Sequence, residues 1–389
     1  MRIYLDNNAT TALHPAVLEA LQESLRDVYG NASSIHREGQ TARRRIEEAR
    51  ESVARLIGAS AREIVFTSGG TESNNAAIFG ALGGTGRHHI VTTAIEHPSV
   101  LEPIAEAARR GHEVTTVAPS PSGEVSAEAV LAAIQPNTRL VAMMLANNET
   151  GVLQPVVDVA RGCRQRNIHL HCDAVQAAGK IDLDVERLGV DTLALSAHKL
   201  HAPKGIGALW VRQSIVLDRL LLGGAQERRR RAGTENVPLA IAFGVAAGLA
   251  AGGGFRGEMA ARRDRFEAQL RERLDAAING AEVGRVPNTS SVTFRGADAE
   301  GIVIGLDLEG VAVSTGSACS SGRIEPSSVL LAMGLTPQQA RSTVRFSASR
   351  FTTSEEMDRV VELLAAIVPK ALRQDEASRP DGTGRAGDP

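Results

Sequence analysis

Three cysteines, Cys163, Cys172 and Cys319, are all that this chain of 389 residues contains, and their spacing matches neither a zinc site nor a disulfide framework. Cysteine used so sparingly suits a reducing cytoplasm, the expected location. Long hydrophobic runs are lacking too. The most apolar stretch, Val237 to Ala251, is too short to span a bilayer and rich in Ala and Gly, as a buried helix would be. Neither sign of charge dominates: 43 Lys and Arg stand against 45 Asp and Glu, a formal net charge of −2. Nothing therefore marks a nucleic-acid or membrane surface. The opening Met1-Arg2-Ile3-Tyr4-Leu5-Asp6 has no apolar core of a signal peptide, so secretion is not expected. No internal repeat is visible, and Arg228 to Arg231 is the one strong charge cluster.

What is present is an ordinary globular composition, 43% hydrophobic and 23% charged. At roughly 100–200 residues per domain the length predicts two domains. Apolar strand patterns recur at Ile64-Val65-Phe66, His89 to Thr92, Glu113 to Val117, Leu140 to Leu145, Ile168 to Cys172, Thr192 to Leu195 and Gly207 to Val211. Helical patterns lie between most of them, at Ser99 to Arg110, Ala127 to Ile134 and Val156 to Arg166. This alternation predicts an α/β domain with a mainly parallel sheet covered by helices. Ligands bind such sheets beyond the C-terminal strand ends. After Gly252-Gly253-Gly254 the pattern changes. A charged helix is predicted over Glu258 to Ala277, strands over Ser291 to Phe294 and Val311 to Ser314, and a closing helix over Ser354 to Arg373. That is a smaller α+β domain. The polar stretch from Gln374 to Pro389 is expected to be disordered.

Six constellations could carry chemistry. Asp173 and Lys199 each close an apolar strand, the first followed by Gln176, the second within Ser196-Ala197-His198-Lys199. A pyridoxal phosphate (PLP) enzyme needs such a pair: the amine forms a Schiff base with the aldehyde and the carboxylate keeps the pyridine nitrogen protonated. Thr67-Ser68-Gly69-Gly70-Thr71-Glu72-Ser73-Asn74-Asn75 leaves a strand and opens a helix. It can cradle a phosphate on free backbone N–H groups or be an ordinary capped turn; it lacks the lysine of a nucleotide P-loop. His97, in Glu96-His97-Pro98, can stack on a ring and move protons or be structural. Asn147, in Asn147-Asn148-Glu149-Thr150-Gly151, can bond a ring oxygen or a carboxylate, or shape a polar turn. Cys319 sits among small residues from Ser314 to Gly322 with no apolar neighbours, which suits a reactive thiol on a mobile loop. Arg345 can grip a carboxylate as a fork, or make a structural ion pair.

Together these residues resemble a cysteine desulfurase of the NifS/IscS type, within the class V aminotransferase-like, fold-type I PLP enzymes. The resemblance runs from Tyr4-Leu5-Asp6-Asn7-Asn8-Ala9-Thr10-Thr11 to the helix near Arg373. It includes Arg231-Ala232-Gly233-Thr234-Glu235-Asn236 and Gly316-Ser317-Ala318-Cys319. It implies a large PLP-binding domain over 14–252, with a seven-stranded sheet. A small domain over 1–13 and 256–373 would carry the cysteine loop, and 374–389 would be a tail. It implies that Lys199 carries the internal aldimine and takes the substrate's α-proton, that Asp173 pairs with the pyridinium and Gln176 with the ring oxygen, and that His97 stacks on the ring. Gly70, Thr71, Ser196 and His198 would hold the phosphate, with Thr234 reaching it from a second subunit of a homodimer. Asn147 and Arg345 would hold the carboxylate of L-cysteine. Cys319 would take the sulfur as a persulfide, leaving alanine. No metal is expected in the site, although Cys319 could transiently ligate a cluster on a scaffold partner.

Two positions depart from the family pattern. Ala32 stands where proline is usual, and Arg229 where glycine is usual. The loop around Cys319 is about as short as in the family's short-loop members, and that resemblance implies delivery to a partner protein, an iron–sulfur scaffold or another sulfur acceptor, rather than use of a helper activator. A selenocysteine lyase or an aminotransferase of the same fold is the alternative, and a non-enzymatic relative ranks last because Lys199 and Asp173 are both present.

Overall fold

Runs of Val, Ile, Leu and Thr four to seven residues long, apolar at nearly every position, become strands buried on both faces; β-branched side chains suit a pleated, covered surface. The computed structural model describes residues 2–84, 86–315 and 325–372. The expected tail over 374–389 and the loop holding Cys319 lie outside the described residues. Twelve strands are present among them: β1 Ile3–Tyr4, β2 Ile64–Thr67, β3 His89–Thr93, β4 Glu113–Val117, β5 Thr138–Met144, β6 His169–Asp173, β7 Thr192–Ser196, β8 Gly207–Val211, β9 Ala276–Ile278, β10 Thr289–Phe294, β11 Val311–Ala312 and β12 Thr343–Ser347.

The central sheet has seven strands in the order β2-β8-β7-β6-β5-β3-β4. All run parallel except β8, which is antiparallel to both β7 and β2. Every residue of β3, β7 and β8 is buried. Helices cover the faces. The helix Val237–Ala251 is the buried apolar helix expected from its composition. It lies so close to the helix Arg37–Leu56 that a Cβ on Gly244 would stand 2.6 Å from the Ala49 Cα. Among the described residues no single helix is long and apolar enough to cross a membrane.

A second core gathers Leu5, Phe266, Leu270, Phe294, Ile302, Val344, Phe346 and Leu364. It lies beside the three-stranded antiparallel sheet β12-β10-β9 and the pair β1-β11. The N-terminal strand thus pairs with residues three hundred positions away, Ile3 with Val311. Val286, Val329, Leu330 and Met333, although late in the chain, pack into the first core.

Two helix boundaries differ from the sequence expectation. The helix expected over Glu258 to Ala277 runs Arg256–Arg273. Leu274 turns extended, and Ala276 and Ala277 join β9 opposite Phe294 and Thr293. Pairing with β10 outweighs the helix propensity of alanine. The closing helix stops at Ile367 and tightens into a 3₁₀ turn over Val368–Ala371, where Pro369 lacks the N–H an α-helix needs.

One buried ion pair fixes the loop that precedes Thr234. Arg50 donates to Glu227 at 2.6 and 2.8 Å and to the Ile64 carbonyl at 2.9 Å. Glu227 also accepts the Phe66 N–H of β2 at 2.9 Å. Next to this anchor Glu227, Arg228 and Arg229 have φ of 45°, 55° and 65°. Left-handed backbone costs a non-glycine residue about 1–2 kcal/mol, and Arg229 is the position where the family pattern has glycine. Its side chain is exposed. Arg229→Gly should relieve that cost, offset partly by about 0.5–1 kcal/mol of added freedom in the unfolded chain. The net expectation is about 0.5–1 kcal/mol of stabilisation in urea unfolding at unchanged m-value. A loss of stability would mean that the Arg229 side chain contributes more than its backbone costs.

Candidate functional site

The C-terminal ends of β2, β5, β6 and β7 open onto one cavity of about 250 Å³. Its chemistry is set by what each strand end presents. Strand β6 ends in Asp173. One carboxylate oxygen accepts the Val175 N–H at 2.9 Å and the other the Asn74 side chain at 2.8 Å. The Asn74 oxygen in turn meets His171 Nε2 at 2.9 Å. Burial pushes His171 down to about 3, so this ring is neutral and a donor through one nitrogen. The carboxylate is held in place by neutral partners.

Strand β7 ends in Ser196 and is followed by a 3₁₀ turn, Ala197–Lys199. The Lys199 amine donates to the Asn8 carbonyl at 2.5 Å and the Ala9 carbonyl at 2.8 Å. Burial, then the nearby Arg345 guanidinium, lowers its pKa to about 8, against the pull of Asp173 and Asp6. At pH 7 about one amine in ten is therefore neutral, against fewer than one in a thousand for an ordinary lysine. This lysine is poised as a nucleophile.

The phosphate-cup segment sits where β2 passes into the helix Gly70–Leu82. Its N-cap, Gly69, supplies no side-chain cap to the first turn. Gly70 is required at that start, because a Cβ would meet Val175 Cγ2 at 2.8 Å. Gly70, Thr71, Ser196 and His198 all line the cavity. His198, with Nδ1 3.2 Å from the Thr10 hydroxyl, is lowered to about 4 by burial and by Lys199 and Lys204. A neutral imidazole and a helix N-terminus together suit an anion.

His97 is the N-cap of the helix Pro98–Arg109. Its Nδ1 accepts the Ser99 N–H at 3.0 Å and lies 2.8 Å from the Ser99 hydroxyl. Burial lowers its pKa, Asp173 raises it and Lys199 lowers it further. Gln176 lines the cavity, with its amide nitrogen donating to the Asn8 carbonyl at 2.9 Å.

Three expected residues stand elsewhere. The Asn147 amide is spent on its own turn: its oxygen accepts the Glu149 and Thr150 N–H groups at 2.9 Å each, and its nitrogen donates to the Ile95 carbonyl at 3.0 Å. Its neighbour Asn148 lines the cavity instead, and Asn148 Oδ1 is buried without a partner. Arg345, on β12, does not line the wall. It binds the Asp6 carboxylate at 2.7 Å and the Asn148 carbonyl at 3.0 Å, and its Nε is buried without a partner. Thr234 is exposed and outside the cavity, on a loop that Arg231 ties to Glu72 at 2.9 Å. Cys319 lies outside the described residues.

Sequence reading missed Asn8, Asn74, His171 and Lys180 as parts of the site. Asn8 and Asn74 stood within quoted motifs, yet nothing in their spacing marked which side chain turns inward. Glu96 was noted only as the neighbour of His97. Its carboxyl accepts from the Thr93 hydroxyl at 2.6 Å and the Met144 N–H at 2.9 Å, and burial raises it to about 8. It is a neutral acid at pH 7.

A lowered lysine, an oriented carboxylate and an uncapped helix N-terminus in one cavity suit a flat carbonyl compound with an anionic arm. Comparison with known proteins agrees. The family model of class-V aminotransferases matches residues 3–360. A cysteine desulfurase of Trichormus azollae is 44% identical over 387 residues, covering 96% of each chain. The solved structure of a NifS-like protein superposes with a TM-score of 0.88 at 35% identity, covering 95% of this chain and all of that one. The structure of SspA in complex with cysteine gives a TM-score of 0.81 at 35% identity, over 91% of this chain and all of that one. A class-V fold, a lysine and an aspartate at adjacent strand ends, and near full-length identity to desulfurases converge: the chain belongs to the class-V aminotransferase family, among its cysteine desulfurases.

Proposed function

We propose that the protein binds PLP in this cavity and removes sulfur from L-cysteine, leaving L-alanine and a persulfide on Cys319 that passes to an acceptor protein. The observation that carries the reading is the shared cavity of Lys199 and Asp173, which gives an amine lowered to about 8 and a carboxylate held by Asn74. The cysteine bound to SspA supports the substrate.

The residues present fit the cofactor. Lys199 would hold its aldehyde carbon. Asp173 would face the ring nitrogen and Gln176 the ring oxygen, while Gly70, Thr71, Ser196 and His198 would hold the phosphate. When bound, the ring supplies an electron sink for charge at the substrate's α-carbon. The protein supplies the rest. The Lys199 amine, neutral in part at pH 7, accepts the α-proton. His97, kept neutral by burial, accepts the Ser99 N–H at Nδ1, so its Nε2 carries the ring hydrogen and can donate it. The unpartnered Asn148 Oδ1 and Arg345 Nε mark where substrate groups would be received. The amide nitrogen of Asn148 suits the substrate carboxylate, whereas the Arg345 fork is engaged by Asp6 and the Asn148 carbonyl and would have to release one of them to reach it.

The thiol is assigned by exclusion and loop character. Cys163 is buried and pushed up to about 12, and Cys172 is raised well above the ordinary value by burial, then by Asp173 and Glu96. Neither forms a thiolate at neutral pH. A Cys319 thiolate would attack the substrate sulfur. The carbon–sulfur bond would break with its electron pair left on the carbon side, and protonation there gives alanine. Iron–sulfur assembly or another thiolation would consume the persulfide. A cytoplasmic homodimer is part of the same reading. It is supported by the exposed apolar side chains Tyr29, Ile35, Val216 and Leu222 and by the exposure of Thr234 on the loop beside Glu72.

Lys199→Ala should abolish the yellow colour that borohydride discharges and end alanine release from cysteine. Near wild-type release would end the assignment. In the unmodified apoprotein, the lowered lysine makes the neutral amine the majority only above about pH 8. The rate of PLP uptake should therefore rise from pH 7 to 9 and level off, and a rate still climbing steeply above pH 10 would show an ordinary lysine.

Cys319→Ser should keep PLP and its response to cysteine but lose persulfide and sulfide formation. Mass spectrometry that finds the extra sulfur of the wild-type protein on Cys163 or Cys172 would overturn the role of Cys319.

Hybrid dimers of Thr234→Ala and Lys199→Ala subunits test the second subunit. If Thr234 serves its neighbour, both defects fall in one site and the other keeps full activity. Two impaired sites would place Thr234 in its own subunit's site.

A further inference from the structure

Lys180 is a buried lysine that the proposed chemistry does not use. It is 8% exposed. It does not line the main cavity but a small one of about 40 Å³ behind it, with Asn7, Thr11 and Asn288. Its amine donates to two side-chain oxygens: Gln176 Oε1 at 2.6 Å and Asn8 Oδ1 at 2.9 Å. The charged groups that act on it are Lys199 and Arg345, and burial with these two cations lowers its pKa well below the ordinary value. A neutral amine still has two N–H groups, enough for both bonds.

The consequence falls on Gln176. Its amide has an oxygen end and a nitrogen end of nearly equal size, and only hydrogen bonds decide which faces where. Lys180 takes the oxygen. The nitrogen end gives one hydrogen to the Asn8 carbonyl at 2.9 Å and keeps the other. Gln176 lines the cavity while Lys180 does not, so the end turned to the cavity is a donor. Were the amide reversed, its oxygen would oppose the Asn8 carbonyl and any oxygen anion in the cavity.

We propose that Lys180 is a positioning residue that fixes the Gln176 amide with its N–H toward the cavity, so that the site presents a hydrogen-bond donor to the ring oxygen of the aromatic aldehyde it binds. The inference deepens the PLP reading and rests on it. A donor on that oxygen stabilises its anion and draws density from the neighbouring imine nitrogen, so its loss favours protonation of that nitrogen. The pH midpoint of the visible absorption band of the bound cofactor should therefore rise.

The test compares Lys180→Met, Gln176→Leu and the double variant with the wild-type holoenzyme. Two readouts are taken: the band midpoint, and PLP dissociation from the protein in equilibrium titration. Lys180→Met removes both donors at similar volume. It should raise the midpoint by about one pH unit and weaken PLP about tenfold, the scale of one hydrogen bond to a charged group. The double variant should move no further than Gln176→Leu alone, because Lys180 acts through that amide. If Lys180→Met yields no folded protein, Lys180→Gln keeps an N–H donor group on a shorter side chain. It should give a smaller shift of the same sign. An unmoved midpoint in a folded Lys180 variant, or a double variant whose shift is the sum of the singles, overturns the inference. Wild-type protein that takes up no PLP would instead remove the reading on which it rests.

Discussion

Asn8 is the residue through which the two halves of the molecule meet the site. Its carbonyl accepts from Lys199 and Gln176, and its side-chain oxygen from Lys180 and Asn288. Its amide nitrogen donates to the Asn148 carbonyl and the Thr289 hydroxyl. Nearly every group is buried, so each bond left unmade would cost about 1–3 kcal/mol. The N-terminal segment is thereby fixed against the ends of β5, β6 and β7 on one side and β10 on the other. Lys199 takes its place from that same carbonyl. A site assembled this way depends on the register of a two-residue strand, β1, against β11.

Burial does most of the electrostatic work. In water Lys199 would be almost wholly charged, Glu96 wholly ionised and His198 partly protonated. Inside the protein the same groups move to about 8, about 8 and about 4. The common cause is the penalty for charge in a poorly solvated place. The result is a site whose histidines and Glu96 are pushed toward their neutral forms, with a lowered but still mostly charged Lys199 near the hydrogen-bonded carboxylate of Asp173. Two further buried carboxylates, Glu227 and Glu267, are paired with Arg50 and Arg285 away from the cavity. The fold thus separates charges that hold elements together from the charge kept for chemistry.

The Arg50–Glu227 pair shows the cost of placing a loop. It holds three successive left-handed residues beside β2, one of them an arginine where glycine would be relaxed. The strained turn lies shortly before Arg231, whose bond to Glu72 sets the Thr234 loop next to the helix Gly70–Leu82. Strain stored in such a segment is tolerated because the buried pair over-determines it.

The sequence alone placed the seven sheet strands to within about two residues, because most of them are short buried runs of apolar and β-branched residues bounded by turn residues; β4, at the sheet edge, is only partly buried. The residues it singled out near strand ends, Asp173, Lys199, Gln176, His97 and the Gly70-Thr71 turn, all line one cavity. Such residues sit at fixed offsets from strands, and offset is visible in a sequence. Direction was not, and β8 turned out antiparallel through pairings with β7 and β2 that no local pattern encodes. Tertiary structure alone decided that Asn148 rather than Asn147 faces the cavity, since two adjacent asparagines differ only in which one the turn consumes. It alone brought Asn8, Lys180 and Arg345 together from opposite ends of the chain. Hydrogen bonds between residues some 170 to 340 positions apart leave no periodicity behind; they exist only once both cores have closed around them.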